Sequence, residues 1–279
     1  MPAKPVVGVP SDSHVHTEWS YDAVRTGSMA RTCERAIELG LPAVAFTEHV
    51  DFTEWGEGDD ADEDAPAITR ANVRPLDVDG YQACVAECRE RFPGLRIRTG
   101  IETGEAHLFR GSVARVLKAG TFDRVLGSLH AIEHDGRLVD PGRLLGTLPA
   151  DEVMDRYFTE MVRLVEGSDV FEVLAHVDYP RRYWRYADGA YDEQRYEDLY
   201  RAVFRALAGT GRVLEFNTKS PFASVRLICW WYDEGGAAVS FGSDTHSPDR
   251  VGDRFDLAVD IVEAAGFRPG RDRYDYWRR

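Results

Sequence analysis

The chain has 279 residues, 43% of them hydrophobic and 29% charged, enough to bury a sizeable core in one large α/β domain or two small ones. Its 34 basic and 48 acidic residues give a formal charge of −14, which argues against long nucleic acid or an anionic membrane as partner. No apolar run approaches the ~20 residues of a membrane span. The N-terminal stretch has too short an apolar run for a signal segment. Four cysteines with no CxxC pair or dense framework point to a reducing, cytoplasmic setting.

Seven short, apolar, β-rich segments are predicted in chain order, at 13–16, 43–47, 96–103, 124–130, 171–177, 213–217 and 238–242. Each is followed by a helical pattern, at 28–39, 80–91, 112–119, 150–166, 192–208, 222–233 and 249–265. Gly40, Gly94, Gly120, Gly209 and Gly211 fall where helices should stop. Repeated βα units with short connections imply a parallel sheet. Seven units without a dinucleotide-binding glycine fingerprint favour a closed, barrel-like form spanning residues 1–279 as one domain. Cys84 and Cys88, four apart in a helical pattern, read as packing residues.

Two stretches lack periodicity. Residues 51–79 are acidic around 59–64 and contain Pro66 and Pro75, and read as a solvated excursion or a lid. Residues 181–191 are rich in Arg, Tyr and Trp and read as a surface loop or a substrate contact. Asp77-Val78-Asp79-Gly80 imitates the start of an aspartyl-phosphate phosphatase motif. Arg74 and Pro75 spoil the strand that motif requires, so it reads as a helix entry.

Six of the eight histidines cluster in short motifs at predicted strand ends. The motifs are Asp12-Ser13-His14-Val15-His16, Thr47-Glu48-His49, Gly127-Ser128-Leu129-His130, Ala175-His176-Val177-Asp178 and Gly242-Ser243-Asp244-Thr245-His246, with Gly100-Ile101-Glu102 completing the set. In a parallel barrel all strand C-termini share one face, so these side chains converge although distant in sequence. His14 and His16, two apart on a strand, point to the same side. Imidazoles and carboxylates gathered without thiolates suit Zn, Fe or Mn.

These motifs, in this order and together with Ser20, Asp22 and the Glu215-Phe216-Asn217-Thr218 string, resemble the polymerase-and-histidinol-phosphatase (PHP) family. The likeness is to its histidinol-phosphatase branch and runs from about residue 12 to residue 252. It implies a distorted (β/α)7 barrel with two to three divalent metal ions at the C-terminal strand ends. Carried over by position, His14, His16, Glu102 and Asp244 would hold one ion. Glu102, His130 and His176 would hold a second, and Asp22, His49 and His246 a third. Glu105 is the other candidate for the bridging role, but lies an odd number of residues from Glu102 and would face away on a regular strand. His107 and His134 fall outside the pattern and read as surface residues. Asp178, Glu48 and Asp51 read either as acceptors orienting ligand imidazoles or as ordinary loop acids. Ser128 and Ser243 read as serving backbone turns.

The activity implied is hydrolysis of a small phosphoric monoester by in-line attack on phosphorus, with Glu102, His130, Asp244 and His246 at the chemistry. A hydroxide shared by two of the ions is the expected nucleophile. Arg181, Arg182 and Lys219 are candidates for gripping phosphate. After Thr218 the chain reads Lys219-Ser220-Pro221-Phe222, where histidinol-phosphate phosphatases have a small-Gly-Leu-basic stretch. Phosphatase chemistry is therefore a firmer expectation than any one substrate, and the aromatic stretch Tyr183-Trp184-Arg185-Tyr186 can clothe a pocket for several. The alternatives are a phosphodiesterase or nucleotide phosphohydrolase on the same centre, or a non-catalytic metal-binding module. No Cys-x5-Arg loop or phosphate-binding P-loop offers another route.

Overall fold

The computed structural model describes residues 8–52, 75–184, 189–219, 221 and 223–279. Among them seven parallel strands form the barrel wall. These are β1 (Asp12–Val15), β2 (Ala43–Val50), β3 (Arg96–Gly104), β4 (Arg124–Ser128), β7 (Val173–Leu174), β8 (Val213–Asn217) and β9 (Ala238–Gly242). They pair in that order, and β10 (Trp277–Arg278) adds antiparallel to β9. The ring closes at the C-terminal rim, where Val15 bridges Thr245. There the His16 N–H donates to the Thr245 carbonyl at 2.9 Å and the Asp244 N–H to that of His14 at 2.8 Å. The fold is a distorted (β/α)7 barrel.

Helices α1 (Met29–Glu38), α2 (Val78–Arg91), α3 (Arg110–Ala119), α5 (Ala150–Gly167), α6 (Glu197–Thr210), α7 (Val225–Asp233) and α8 (Phe255–Ala264) follow the wall strands in turn. Strands covered on both faces read as continuous apolar runs, and every residue of β2, β8 and β9 is buried. Outward-facing Phe46, Ile101, Phe216 and Phe241 join the helices' Tyr157, Phe158, Phe204 and Trp231 in one large cluster. Inside the ring, Leu126, Val173, Ala175, Val213 and Ala238 form a second, smaller cluster capped by Tyr276. Small side chains suit the interior of a narrow, seven-stranded ring.

The sequence predicts all seven βα units, and the differences lie at their ends. Strand β7 spans two residues rather than seven, because His176 takes a positive φ of 20° and turns the chain out of the ladder. Helix α6 is preceded by a tight 3-10 turn, Glu193–Tyr196. Helix α8 begins six residues late, after a 3-10 turn at Pro248–Arg250 and a left-handed Gly252. Asp77 caps α2, accepting the Gly80 N–H at 3.0 Å, as expected for a helix entry.

One insertion was not anticipated. Between β4 and β7 the chain makes a hairpin of β5 (Ile132–His134) and β6 (Arg137–Val139), followed by the short helix α4 (Pro141–Leu144). Its turn is Asp135-Gly136, with φ of 51° and 75°, a combination the Asp-Gly pair adopts readily.

Candidate metal centre

Strand alternation delivers the predicted ligands to one place. On β3 the inward positions end in Glu102, on β2 in His49 and on β1 in His14, while His130, His176, Asp244 and His246 lie just past their strands. Asp244 takes a φ of 49°, so it and His176 both bend the chain as it leaves the wall. Left-handed backbone at non-glycine residues is costly and gathers at functional sites. Asp22, His49, Glu102, His130, His176, Asp244 and His246 line a cavity of about 510 Å³, whose walls include Tyr21, Asp140, Arg143, Tyr179, Arg182, Tyr183 and Lys219, while His14 and His16 are buried against Glu102.

The donor atoms form overlapping clusters, His16–His49–His246 and His49–Asp51–His130 among them, and are taken in the three groups that the resemblance implies. In the first, His14 Nε2 and His16 Nε2 are 3.0 Å apart and each lies 3.2 Å from Glu102 Oε2; Asp244 Oδ1 is 3.5 Å from His16 Nε2. In the second, His176 Nε2 is 2.7 Å and His130 Nε2 3.3 Å from Glu102 Oε1, with 3.4 Å between the nitrogens. In the third, Asp22 Oδ2 lies 2.7 Å from His246 Nε2 and 3.5 Å from His49 Nε2. Ligands ~2.0–2.2 Å from a tetrahedral ion stand about 3.3–3.6 Å apart. The first two groups are close to that spacing, and Glu102 offers one oxygen to each, as a bridging carboxylate does.

Proton bookkeeping sharpens the fit. The single Ser20 hydroxyl proton goes to Glu48 Oε2 at 2.6 Å, so at the 3.0 Å contact His16 Nδ1–H must donate to Ser20 Oγ. His14 Nδ1–H donates to Glu215 Oε1 at 2.7 Å, and His130 Nδ1–H to Asp51 Oδ1 at 3.0 Å. His14 and His16 therefore turn both Nε2 atoms toward each other and toward Glu102 Oε2, a buried oxygen that His49 Nδ1 also approaches at 3.1 Å. Electron-rich atoms facing one another away from water are unfavourable unless a cation lies among them. The residues fit divalent metal ions.

Burial opposes charge on His14, but Glu215, Glu102 and Asp244 outweigh it and hold its pKa well above the usual range, so without a metal a proton supplies the positive charge that an ion would replace. Burial and the neighbouring His49 and His246 push His16 down to about 4, which keeps its lone pair available. Burial opposes charge on Glu102, but His14, His130 and His49 outweigh it and hold the carboxylate well below its usual range. Asp244 is likewise ionised, with Lys219, Arg182 and His14 outweighing its burial.

The supporting residues divide. Glu48 acts on His16 through Ser20, and Asp51 accepts from His130 and lies 3.2 Å from His49 Nδ1, so both orient imidazoles. Asp178 instead turns toward Arg181 at 3.6 Å. Ser128 is not confined to the turn, because its hydroxyl donates to Glu102 Oε1 at 2.5 Å. The Ser243 hydroxyl is buried without a hydrogen-bond partner among the described residues, and it is the Ser243 N–H that donates to Asp12 Oδ1, at 3.0 Å. Glu105 faces away from the bridge, as its odd spacing implies, and accepts the His130 and Ala131 N–H groups. His107 is no surface residue, since its half-buried ring meets Glu160 at 2.6 Å; His134 does stay outside, beside Arg156.

Of the phosphate candidates, Arg182 Nη2 donates to Asp244 Oδ2 at 2.6 Å and to Asn217 Oδ1 at 3.1 Å, with its guanidinium over Tyr179. Lys219 Nζ lies 3.1 Å from both Asp244 Oδ1 and His246 Nδ1. Arg181 is not brought to the cavity: it pairs with Glu193 at 2.8 Å. Tyr183 reaches the cavity, whereas Trp184 packs on Tyr191 and Tyr196. Arg185, Tyr186, Ser220, Phe222 and most of the 51–79 stretch lie outside the described residues. In the sequence Glu215 stands out only as part of the Glu215-Phe216-Asn217-Thr218 string. It accepts from His14, the His176 N–H and Asn217, tying three wall segments together.

Comparison with known proteins agrees with this geometry. The PHP domain model matches residues 12–219. A protein of Thermotoga maritima named probable histidinol-phosphatase is 31% identical over 247 residues, covering 86% of each chain. A histidinol-phosphatase of Lactococcus lactis is 26% identical over 263 residues, covering 92% of this chain and 91% of its own. A crystal structure of histidinol phosphate phosphatase from Lactococcus lactis, complexed with zinc, L-histidinol and phosphate, superposes with a TM-score of 0.77 at 22% identity. It covers 92% of this chain and 94% of its own. On the breadth of the family match and the Thermotoga likeness, this chain belongs to the PHP domain family.

Proposed function

We propose that the protein is a metal-dependent phosphoric monoester hydrolase of the histidinol-phosphatase kind. One observation carries the reading: the Nε2 atoms of His14 and His16, their Nδ1 atoms directed at Glu215 and Ser20, lie 3.0 Å apart and each 3.2 Å from the same buried oxygen of Glu102. His14, His16, Glu102 and Asp244 would hold one ion, Glu102, His130 and His176 a second, and Asp22, His49 and His246 a third. When bound, such ions lower the pKa of water toward ~7 and neutralise phosphoryl oxygens.

The chain's own residues do the rest. Glu215, the Glu48–Ser20 pair and Asp51 hold imidazole protons on Nδ1 and so present Nε2 to the cavity. Arg182, fixed by Asp244, Asn217 and the Tyr179 ring, presents a rigid guanidinium to an anionic group. Lys219, half exposed at the rim, adds a mobile positive charge. Tyr179 and Tyr183 line the wall where a leaving alcohol would lie. Relatives named histidinol-phosphatase, and one seen with L-histidinol and phosphate, make L-histidinol phosphate the first substrate to try.

The test is metal analysis of the purified protein, then turnover of p-nitrophenyl phosphate, its bis-ester and L-histidinol phosphate with and without chelator. Chelator-sensitive monoester turnover is expected. Preference for the bis-ester would favour a phosphodiesterase, and a metal-free, inert protein would end the reading. Monoester turnover without histidinol phosphate turnover would move the substrate and leave the chemistry standing.

A further inference from the structure

Asp12 opens the first histidine motif, yet it is not among the residues that line the cavity and reaches the ligand set through the His14 backbone N–H. We propose that Asp12 is a positioning residue for the metal centre. Its carboxylate holds the barrel seam shut, and this keeps His14 and His16 in register with Asp244 and His246. The inference rests on the metal reading above.

The seam is thinly made. The ladders between other wall strands run from eight register pairs at β2–β3 down to two on either side of β7, whereas β1 meets the segment beyond β9 through one bridge and two backbone hydrogen bonds. Both halves of the first ligand group straddle this gap. Asp12 is fully buried beside it. Its Oδ1 accepts the Ser243 N–H at 3.0 Å and, more weakly, the His14 N–H at 3.3 Å; its Oδ2 accepts the Gly252 N–H at 2.8 Å. Three segments are thereby pinned to one side chain: β1, the start of the Asp244 loop and the turn entering α8. All three partners are donors, so the site calls for an ionised or doubly accepting group. An asparagine would set its NH2 against a backbone N–H. A slip of the seam by half an ångström would spread the 3.0–3.5 Å spacings on which cation capture depends.

The full-length protein, stripped of metal, is titrated with Zn²⁺ against a chromophoric competitor while its thermal midpoint is recorded. Asp12→Asn is expected to weaken Zn²⁺ binding by about 10-fold or more, the range seen when groups orienting ligands are lost. The control is Asp123→Asn, because Asp123 joins β3 and β4 at the opposite end of the barrel by accepting the Thr99 N–H at 3.1 Å. That variant is expected to lose thermal stability with Zn²⁺ affinity unchanged. Asp12→Asn behaving like Asp123→Asn, less stable but equally tight for Zn²⁺, overturns the inference and leaves the metal reading intact. A wild-type protein that binds no Zn²⁺ overturns both.

Discussion

The two ends of the barrel use the same inward-facing positions for opposite purposes. Along β3 these positions read Arg98, Gly100, Glu102 from base to mouth; along β4 they read Arg124, Leu126, Ser128, and along β2 Ala43, Ala45, Thr47, His49. At the base the chain supplies partners for its own charges, with Arg124 Nε the one guanidinium nitrogen there left buried without a hydrogen bond among the described residues. Arg124 pairs with Glu172 at 2.5 Å and stacks on Tyr276, and Arg98 donates to the Tyr274 carbonyl at 3.0 Å. The C-terminal segment supplies these aromatic partners, and Trp277 packs on Phe241. At the mouth, imidazole nitrogens and carboxylate oxygens crowd within 3.0–3.5 Å, Glu105, His176 and Asp244 sit in left-handed backbone, and the arrangement calls for positive charge among its members. One end is built to be stable, the other to bind.

That contrast can be broken from either end. The largest effect is expected at the mouth. Chelation should abolish monoester turnover and lower the thermal midpoint, with recovery of both on adding Zn²⁺ or Mn²⁺. Glu102→Gln, which weakens the shared ligand, should cost on the order of 10³-fold in kcat, since several kcal/mol of charge stabilisation go with it. At the base, Trp277→Ala should destabilise by about 3–5 kcal/mol in denaturant unfolding while kcat of the folded fraction stays at the wild-type value. If kcat fell in step with stability, the two ends would not be separable.

Gly242→Ala tests the zone between them. A Cβ there would come within 2.0 Å of Glu215 Oε1 and 2.6 Å of the His14 Cβ. Overpacking should cost about 1–3 kcal/mol and lower metal occupancy together, measured by unfolding and by elemental analysis. The smallest effect is assigned to Asp51→Asn, which loosens the hold on His130. About 10–100-fold weaker metal binding with little change in fold would place Asp51 in an orienting role. Unchanged affinity would reduce it to packing.

How much of this was legible in sequence followed the same division. The wall strands and the candidate ligands announce themselves, because metal chemistry demands rare residue types at positions that strand periodicity makes predictable. Supporting contacts were less visible. Glu215 stands two residues before Asn217 on a predicted strand, and that spacing, on the inward face of a barrel, was a usable signal. Ser128 and Asp12 gave none, since a hydroxyl beside a ligand or a carboxylate before one is equally at home in a turn. Arg181 and Arg182 are adjacent in sequence but point different ways, one into Glu193 and one to Asp244, a choice settled by the tight turn Tyr179–Tyr183. Strand β10 is too short and too far from its partner in sequence to be foreseen. The β5–β6 hairpin was foreseeable, because Asp135-Gly136 between short apolar runs is a turn signal.

That hairpin and the short helix after it arrive while β4 stays bonded to β7, with Leu126 opposite Val173 and Gly127 opposite Leu174. The insertion therefore brings Asp140 and Arg143 to the cavity wall without disturbing the wall strands beneath it. Exchanging it among relatives would retune which alcohol is accepted and leave the hydrolytic engine untouched, so new substrates can evolve here at little risk to the chemistry.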